Sequence, residues 1–372
     1  MLPTPPLDED DDDGLCPIVH HVDMVAQLNQ PPYPLHPSVK DRLHPDYVAF
    51  YNKYLLHAQQ VHQLPVSVAR GSRTVPACHS KPLPVGHIQD VSISRRETVG
   101  PDVLVRCFTP PGAPPATGWP LVLYYHGGGW VFGDIETENT VCTHICVRAR
   151  AVVITTDYRL APEDPWPAAI HDAWEAFLWS TASPQQGLDV DVNLHKVAIA
   201  GSSAGANIAA VIAQKAALRF PPLSPPPAGR VSIRSQVLVV PVTDNTATPF
   251  SSPSWQAYEF TAHLPAKKML WYRHHYLPNP ADRAHREASP LLASDDVFAR
   301  LAPAYIIVAE LDVLRHDGEE YARRLRANGV AARVTLMEGM PHPFLAMDSV
   351  LEAGRTAIRN ICDELTRVFA CD

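Results

Sequence analysis

Residues 196–218 read KVAIAGSSAGANIAAVIAQKAAL: a short apolar run, two serines between glycines, then a helix-forming segment. A strand that turns abruptly into a helix exposes the residue at its apex. Glycine permits such a turn and lets the helix pack closely on the strand. In Gly201-Ser202-Ser203-Ala204-Gly205 the G-x-S-x-G spacing puts Ser203 at the apex with its hydroxyl pointing out, and makes Ser202 a neighbour. The helix start beneath adds a field that favours negative charge. The segment predicts a serine nucleophile on an elbow.

Working outward, the apolar run Leu121–Tyr125 enters His126-Gly127-Gly128-Gly129-Trp130. Acyl transfer develops an oxyanion in its tetrahedral intermediate, and successive glycines let backbone N–H groups turn toward it without Cβ obstruction. Gly127 and Gly128 are the predicted donors, with the Ala204 N–H as a third. There is no Gly-Lys-Ser/Thr for a phosphate loop, and GGGWVFG lacks the spacing of a dinucleotide site. Trp130 and Phe132, beside this loop, either line an acyl or alcohol pocket or simply pack in the core.

A serine hydroxyl is a weak nucleophile and needs a base and an acid to orient that base. With 18 histidines in the chain, composition cannot choose among them. Position can: His342 follows the run ARVTLMEG and precedes the last helical segment, where a loop overhangs the sheet edge. The acid should follow the preceding strand, in Ala309-Glu310-Leu311-Asp312-Val313-Leu314-Arg315. Asp312 is the choice there, with Glu310 and Asp317 as rivals whose ordinary reading is a surface ion pair. The order Ser203, Asp312, His342 is that of α/β-hydrolases and differs from chymotrypsin-like and subtilisin-like chains.

Further β-rich runs at Val91–Thr98, Val103–Thr109, Ala151–Thr155, Lys196–Ala200, Val237–Val240, Tyr305–Val308 and Ala332–Leu336 are separated by helical patterns. This alternation predicts an α/β fold with a mainly parallel sheet covered on both faces. Trp166, Ile170, Trp174 and Phe177 mark one helix face, Tyr321 and Leu325 another, and a last helix spans about 349–368. His44–Leu64 reads as one amphipathic helix with Asp46 placed to cap it. Residues 244–292 interrupt the alternation and carry Trp255, Tyr258, Trp271, Tyr272 and Tyr276. They are expected to form a helical lid on the N-terminal helix that roofs a pocket, against the competing reading of an aromatic satellite of the core. Pro221–Pro227 reads as a stiff connection.

These motifs resemble the hormone-sensitive-lipase-like family of α/β-hydrolases, which includes arylacetamide deacetylase-like proteins and microbial carboxylesterases. HGGGW at 126–130, DYRLAPE at 157–163, GSSAG at 201–205, DVLR from Asp312 and the late His342 occur in the family's order over about 100–365. The resemblance implies an α/β-hydrolase fold, with Asp157–Glu163 bracing the active-site side of the sheet. It also implies a cap built from the N-terminal region and the 244–292 insertion. The expected division is an acidic tail over 1–14, a cap segment and linker over 15–86, and a catalytic domain over 87–243 and 293–372. Ser202 stands where family elbows commonly carry Asp or Thr, and Pro343 where Gly commonly follows the histidine. Neither touches a triad atom.

The resemblance implies a serine esterase cleaving small to medium apolar carboxylic esters without metal or cofactor. The same triad also serves amidases, lactonases and acyl-transfer enzymes. A non-catalytic small-molecule receptor on this scaffold is the reading from another class, and the presence of all three triad residues weighs against it. Net charge is −8, and Asp8–Asp13 contribute six of those negative charges, so the remainder is nearly neutral. With no basic stripe there is no electrostatic footprint for nucleic acid, and no apolar run approaches a membrane span. The acidic run fails as a calcium loop, because His20 falls where a bidentate Glu is required; a disordered tail fits it better. Without a secretory signal, and with seven cysteines in no framework spacing, a cytoplasmic protein with reduced thiols is expected. Monomer and homodimer are both consistent, the latter through an exposed edge near Ala332–Leu336.

Overall fold

The computed structural model describes residues 30–71, 78–182, 190–220 and 231–371; the expected acidic tail and the Pro221–Pro227 connection lie outside these. Eight strands form a single sheet: β1 His87–Ile93, β2 Val103–Thr109, β3 Trp119–Tyr125, β4 Val152–Asp157, β5 Val192–Ser202, β6 Ile233–Val239, β7 Ala304–Ala309 and β8 Ala332–Met337. Their order is β1-β2-β4-β3-β5-β6-β7-β8. β2 pairs antiparallel with both neighbours, and every pairing from β4 across to β8 is parallel.

The longer helices are α1 Pro45–Tyr54, α2 Asn139–Arg148, α3 Ala168–Ser180, α4 Ala204–Arg219, α5 Ala266–Tyr276, α6 Arg315–Ala327 and α7 Glu352–Ala370. α2 and α7 pack together on one face of the sheet, while α3, α4 and α6 cover the other. The central strands are accordingly buried along nearly their whole length, as apolar strands sandwiched between helix layers must be. β8 lies at the edge and is half-exposed along most of its length.

Two of the differences from the sequence reading have a visible physical cause. The first strand runs His87–Ile93 instead of Val91–Thr98. Buried carboxylates on α3 explain the shift: Glu175 accepts from the backbone N–H groups of Arg96, Glu97 and Thr98, and Asp172 takes the Arg95 guanidinium. Those N–H groups are thereby withdrawn from any ladder. The N-terminal helix ends at Tyr54, is capped by His44 Nδ1 instead of Asp46, and is followed by a separate 3₁₀ turn over Val61–Gln63. That turn packs against α5, and this contact overrides the helical period of 44–64.

The elbow is where local geometry is tightest. Ser203 sits at φ 52° and ψ −117°, a backbone conformation that costs a non-glycine residue on the order of 1–3 kcal/mol. A Cβ on Gly205 would lie 2.0 Å from the Tyr125 carbonyl oxygen and 2.4 Å from that of His126. A Cβ on Gly201 would lie 2.4 Å from the Gly205 carbonyl oxygen. Both glycines are therefore required for α4 to approach the ends of β3 and β5. Gly205→Ala is predicted to destabilise the protein by about 2–4 kcal/mol, a large value for one added methyl. Urea denaturation monitored by tryptophan fluorescence measures this, and an unchanged midpoint would contradict the packing described.

Candidate active site

Because β3, β5, β6, β7 and β8 run parallel, the loops leaving their C-terminal ends gather along one rim. Tyr125 pairs with Gly201 in register, so the glycine loop after β3 leaves the sheet beside the elbow after β5. The Ser203 N–H donates to the Val239 carbonyl at 2.8 Å, fixing the elbow to β6. The loop after β7 is tied to the loop after β8 by Glu310 N–H to Met337 O and Leu311 N–H to Met340 O, both 3.0 Å.

The rim brings together three residues that are distant in sequence. Ser203 Oγ is 2.8 Å from His342 Nε2, and His342 Nδ1 is 2.7 Å from Asp312 Oδ2. A carboxylate only accepts, so Nδ1 carries the imidazole proton and the Nε2 lone pair faces the serine hydroxyl. Asp312 is fully buried and its Oδ1 accepts from the Leu314 N–H at 3.0 Å, which holds the carboxylate in place. The two rival acids are directed elsewhere. Glu310 pairs with Arg42 at 2.7 Å and accepts from the Gly339 N–H. Asp317 accepts from the N–H groups of Thr243 and Asp244.

Ser203 and His342 open onto a cavity of about 290 Å³ whose apolar wall includes Phe132, Val242, Leu264, Met269, Tyr272 and Leu345. Part of the 244–292 insertion closes it, since His263, Leu264, Lys268, Met269 and Tyr272 all line it. Three other insertion aromatics have structural contacts. Trp255 lies beneath Arg273, Tyr258 beneath Arg42, and Tyr276 stacks on Trp130 with ring centroids 4.1 Å apart. That stack corrects one expectation: Trp130 is fully buried in the core and does not line the cavity, whereas Phe132 does.

The glycine loop also differs in detail. The Gly127 N–H points at Glu138 Oε2, 3.3 Å away, and not into the cavity. The N–H groups of Gly128, Gly129 and Ala204 have no acceptor among the described residues. Gly128 adopts φ 124°, and a Cβ there would sit 2.1 Å from the Phe132 carbonyl oxygen. His126 is buried and donates from Nδ1 to the Gly127 carbonyl at 2.7 Å; burial pushes its imidazole down to about 4, so it stays neutral. Tyr158 stacks on His126 and donates to its carbonyl at 2.8 Å, and the Ala161 N–H donates to Trp130 O. The DYRLAPE segment thus contacts the glycine loop from behind.

The profile of the α/β-hydrolase fold family matches residues 122–346. The chain belongs to that family, in its hormone-sensitive-lipase-like branch. An AB hydrolase superfamily protein of Schizosaccharomyces pombe is 45% identical over 344 residues, covering 91% of this chain and 97% of its own. An ethyl acetate hydrolase of Pseudomonas putida is 34% identical over 71% of this chain and 78% of its own. Among solved structures, a thermostable esterase from Pseudomonas putida superposes with TM-score 0.76 at 29% identity, covering 89% of this chain and 99% of its own. An esterase from Pyrobaculum calidifontis gives 0.67 at 35% identity, over 76% and 86% respectively. Within this α/β-hydrolase, no cluster of metal-ligating side chains occurs among the described residues, and no described helix is long and apolar enough to cross a membrane.

Sequence reasoning overlooked Glu138, a buried carboxylate in left-handed backbone at φ 63°. It accepts from Ser202 Oγ at 2.5 Å, from Tyr124 OH at 3.0 Å and from the Gly127 N–H. Burial raises its pKa above the ordinary carboxylate range, against the pull of these donors. Ser202 thereby acquires a specific partner and links the elbow to the glycine loop. The Ser202 position in GSSAG was the available signal, but its partner 64 residues away was not readable from spacing. Glu138→Ala strands three buried donors and is predicted to lower stability by about 2–4 kcal/mol. Calorimetric melting measures this; a melting temperature equal to wild type would remove Glu138 from this linking role.

Proposed function

We propose that this α/β-hydrolase cleaves carboxylic esters through an acyl-enzyme formed on Ser203. The observation that carries the proposal is the hydrogen-bonded chain Ser203–His342–Asp312, with 2.8 and 2.7 Å links, opening on an apolar cavity beside unpaired backbone donors. As Ser203 Oγ attacks the ester carbonyl carbon, its proton passes to His342 Nε2. Asp312 stabilises the imidazolium that results and holds the ring. The negative charge on the former carbonyl oxygen is received by the N–H groups of Gly128, Gly129 and Ala204, a set moved one residue along from the sequence expectation because Gly127 is occupied by Glu138. His342 then protonates the departing alkoxide. Water, deprotonated by the same nitrogen, attacks the acyl-enzyme, and as the intermediate collapses that proton returns to Ser203 Oγ, releasing the carboxylic acid and the free serine.

The printed activities of the relatives support ester hydrolysis, ethyl acetate hydrolase and carboxylesterase among them. The cavity volume and its aliphatic and aromatic wall favour small to medium acyl and alcohol groups. We place the enzyme in the cytoplasm as a monomer or homodimer; the buried thiols of Cys107, Cys142, Cys146 and Cys362, none in a disulfide, favour a reducing compartment.

Ser203→Ala is predicted to reduce kcat/KM for p-nitrophenyl butyrate by at least about 10⁴-fold, and His342→Ala by a comparable factor. The double variant should lose little more, because the two residues act as a unit. Steady-state kinetics measures all three. Wild-type turnover in either single variant would refute the assignment.

A further inference from the structure

One cationic group in the site has no role in the triad chemistry. Lys268, on α5, is 8% exposed and lines the cavity that contains Ser203 and His342. It also lines a second cavity of about 400 Å³ that shares Gly128, Phe132, His263 and Tyr272 with the first. No carboxylate or carbonyl among the described residues accepts from its ammonium; its contact is the Tyr272 ring, whose centroid is 6.0 Å from Nζ. Burial pushes the Lys268 pKa down to about 8, so the group is still largely charged at neutral pH.

The surroundings do not neutralise it. The second cavity has no Asp or Glu among its described lining residues, but it does have Arg70. Arg70 is already engaged by Glu163 and by the carbonyls of Val131 and Ala161. The carboxylate on the first cavity's described wall, Glu138, faces Ser202, Tyr124 and Gly127. The nearby imidazoles of His62 and His263 are pushed down by burial, with the Lys268 charge adding to the effect. A buried ammonium without a counter-charge is normally avoided. Here it stands in the wall of a cavity, where an incoming group can reach it.

We propose that Lys268 is an anion subsite, and that the substrates include esters whose acyl or alcohol part carries a carboxylate reaching from Ser203 into the second cavity. This rests on the ester-hydrolase reading of the same site and narrows its substrate class. The carboxylate would take a charge-assisted hydrogen bond from Nζ in a water-poor environment, while the apolar chain between the two ends lies along Phe132 and Tyr272. The scissile ester stays at the triad, so the anionic end determines which ester is held and takes no part in bond cleavage.

Binding is tested in the Ser203→Ala protein, where no ester is consumed. Calorimetric titration with monomethyl adipate and dimethyl adipate at pH 7 should show the hemiester binding at least about tenfold tighter. Lys268→Met in that background should bring the two affinities within about twofold, and Lys268→Arg should restore the preference. Equal affinities in the Ser203→Ala protein, or a preference that survives Lys268→Met, would overturn the proposal. Turnover separates this from the broader reading. A wild-type enzyme that hydrolyses both esters with equal kcat/KM and binds both equally is an esterase without an anion subsite. Selective hemiester binding with turnover of neither ester would leave the subsite standing and fell the hydrolase.

Discussion

Close approach of backbone to backbone at the elbow is the constraint on which the site depends. Gly205 lies against the carbonyls of Tyr125 and His126, and Gly201 against that of Gly205, at distances no side chain would permit. This contact places the first turn of α4 beneath the end of β3 and forces Ser203 into its positive-φ conformation. It also brings the glycine loop beside Ser203, since that loop begins at the residue following Tyr125. The strain at Ser203 is offset by hydrogen bonds on both sides: its N–H to Val239 O, and its carbonyl accepting from the Asn207 N–H.

Around that contact, polar groups that would be costly alone satisfy one another. Glu138 joins Ser202 of the elbow to Gly127 of the loop, and Tyr158 and Ala161 hold the loop from the other side. The N-terminal segment fastens the acid and histidine loops in the same way, through Arg42 to Glu310 and the His44 N–H to Gly339 O. The triad geometry is therefore overdetermined by several elements, as a site needing sub-ångström placement requires. The cavity roof is different. It is built from residues of the 244–292 insertion and the segment around Val61, which pack on each other without joining the sheet.

The scaffold of the candidate site was legible because each of its parts has a local cause. A G-x-S-x-G between an apolar run and a helical run puts Ser203 on the elbow, and strand-to-helix loops put Asp312 and His342 at the same rim. Strands β2 to β8 came from apolar runs, since a doubly covered sheet writes itself as continuous hydrophobic segments. What was not legible depended on pairings across the fold. The first strand shifted because Glu175 and Asp172 capture the backbone of 95–98, and the N-terminal helix stopped at Tyr54 because Val61–Gln63 docks on α5. The sequence leaves Trp130 open between pocket and core, and only the fold decides it, because its side chain points back to stack on Tyr276. Glu138 and Lys268 carry no motif; only their buried surroundings make them notable.

The chemistry proposed for the rim depends most on which serine is the nucleophile, since Ser202 and Ser203 are adjacent and only Ser203 faces His342. A fluorophosphonate probe reacts with a serine activated by a neighbouring base, and fragmentation of the labelled peptide assigns the adduct to a single residue. Stoichiometric modification of Ser203 is expected in the native protein and none after denaturation. Modification of Ser202, or of a serine away from the rim, would contradict it.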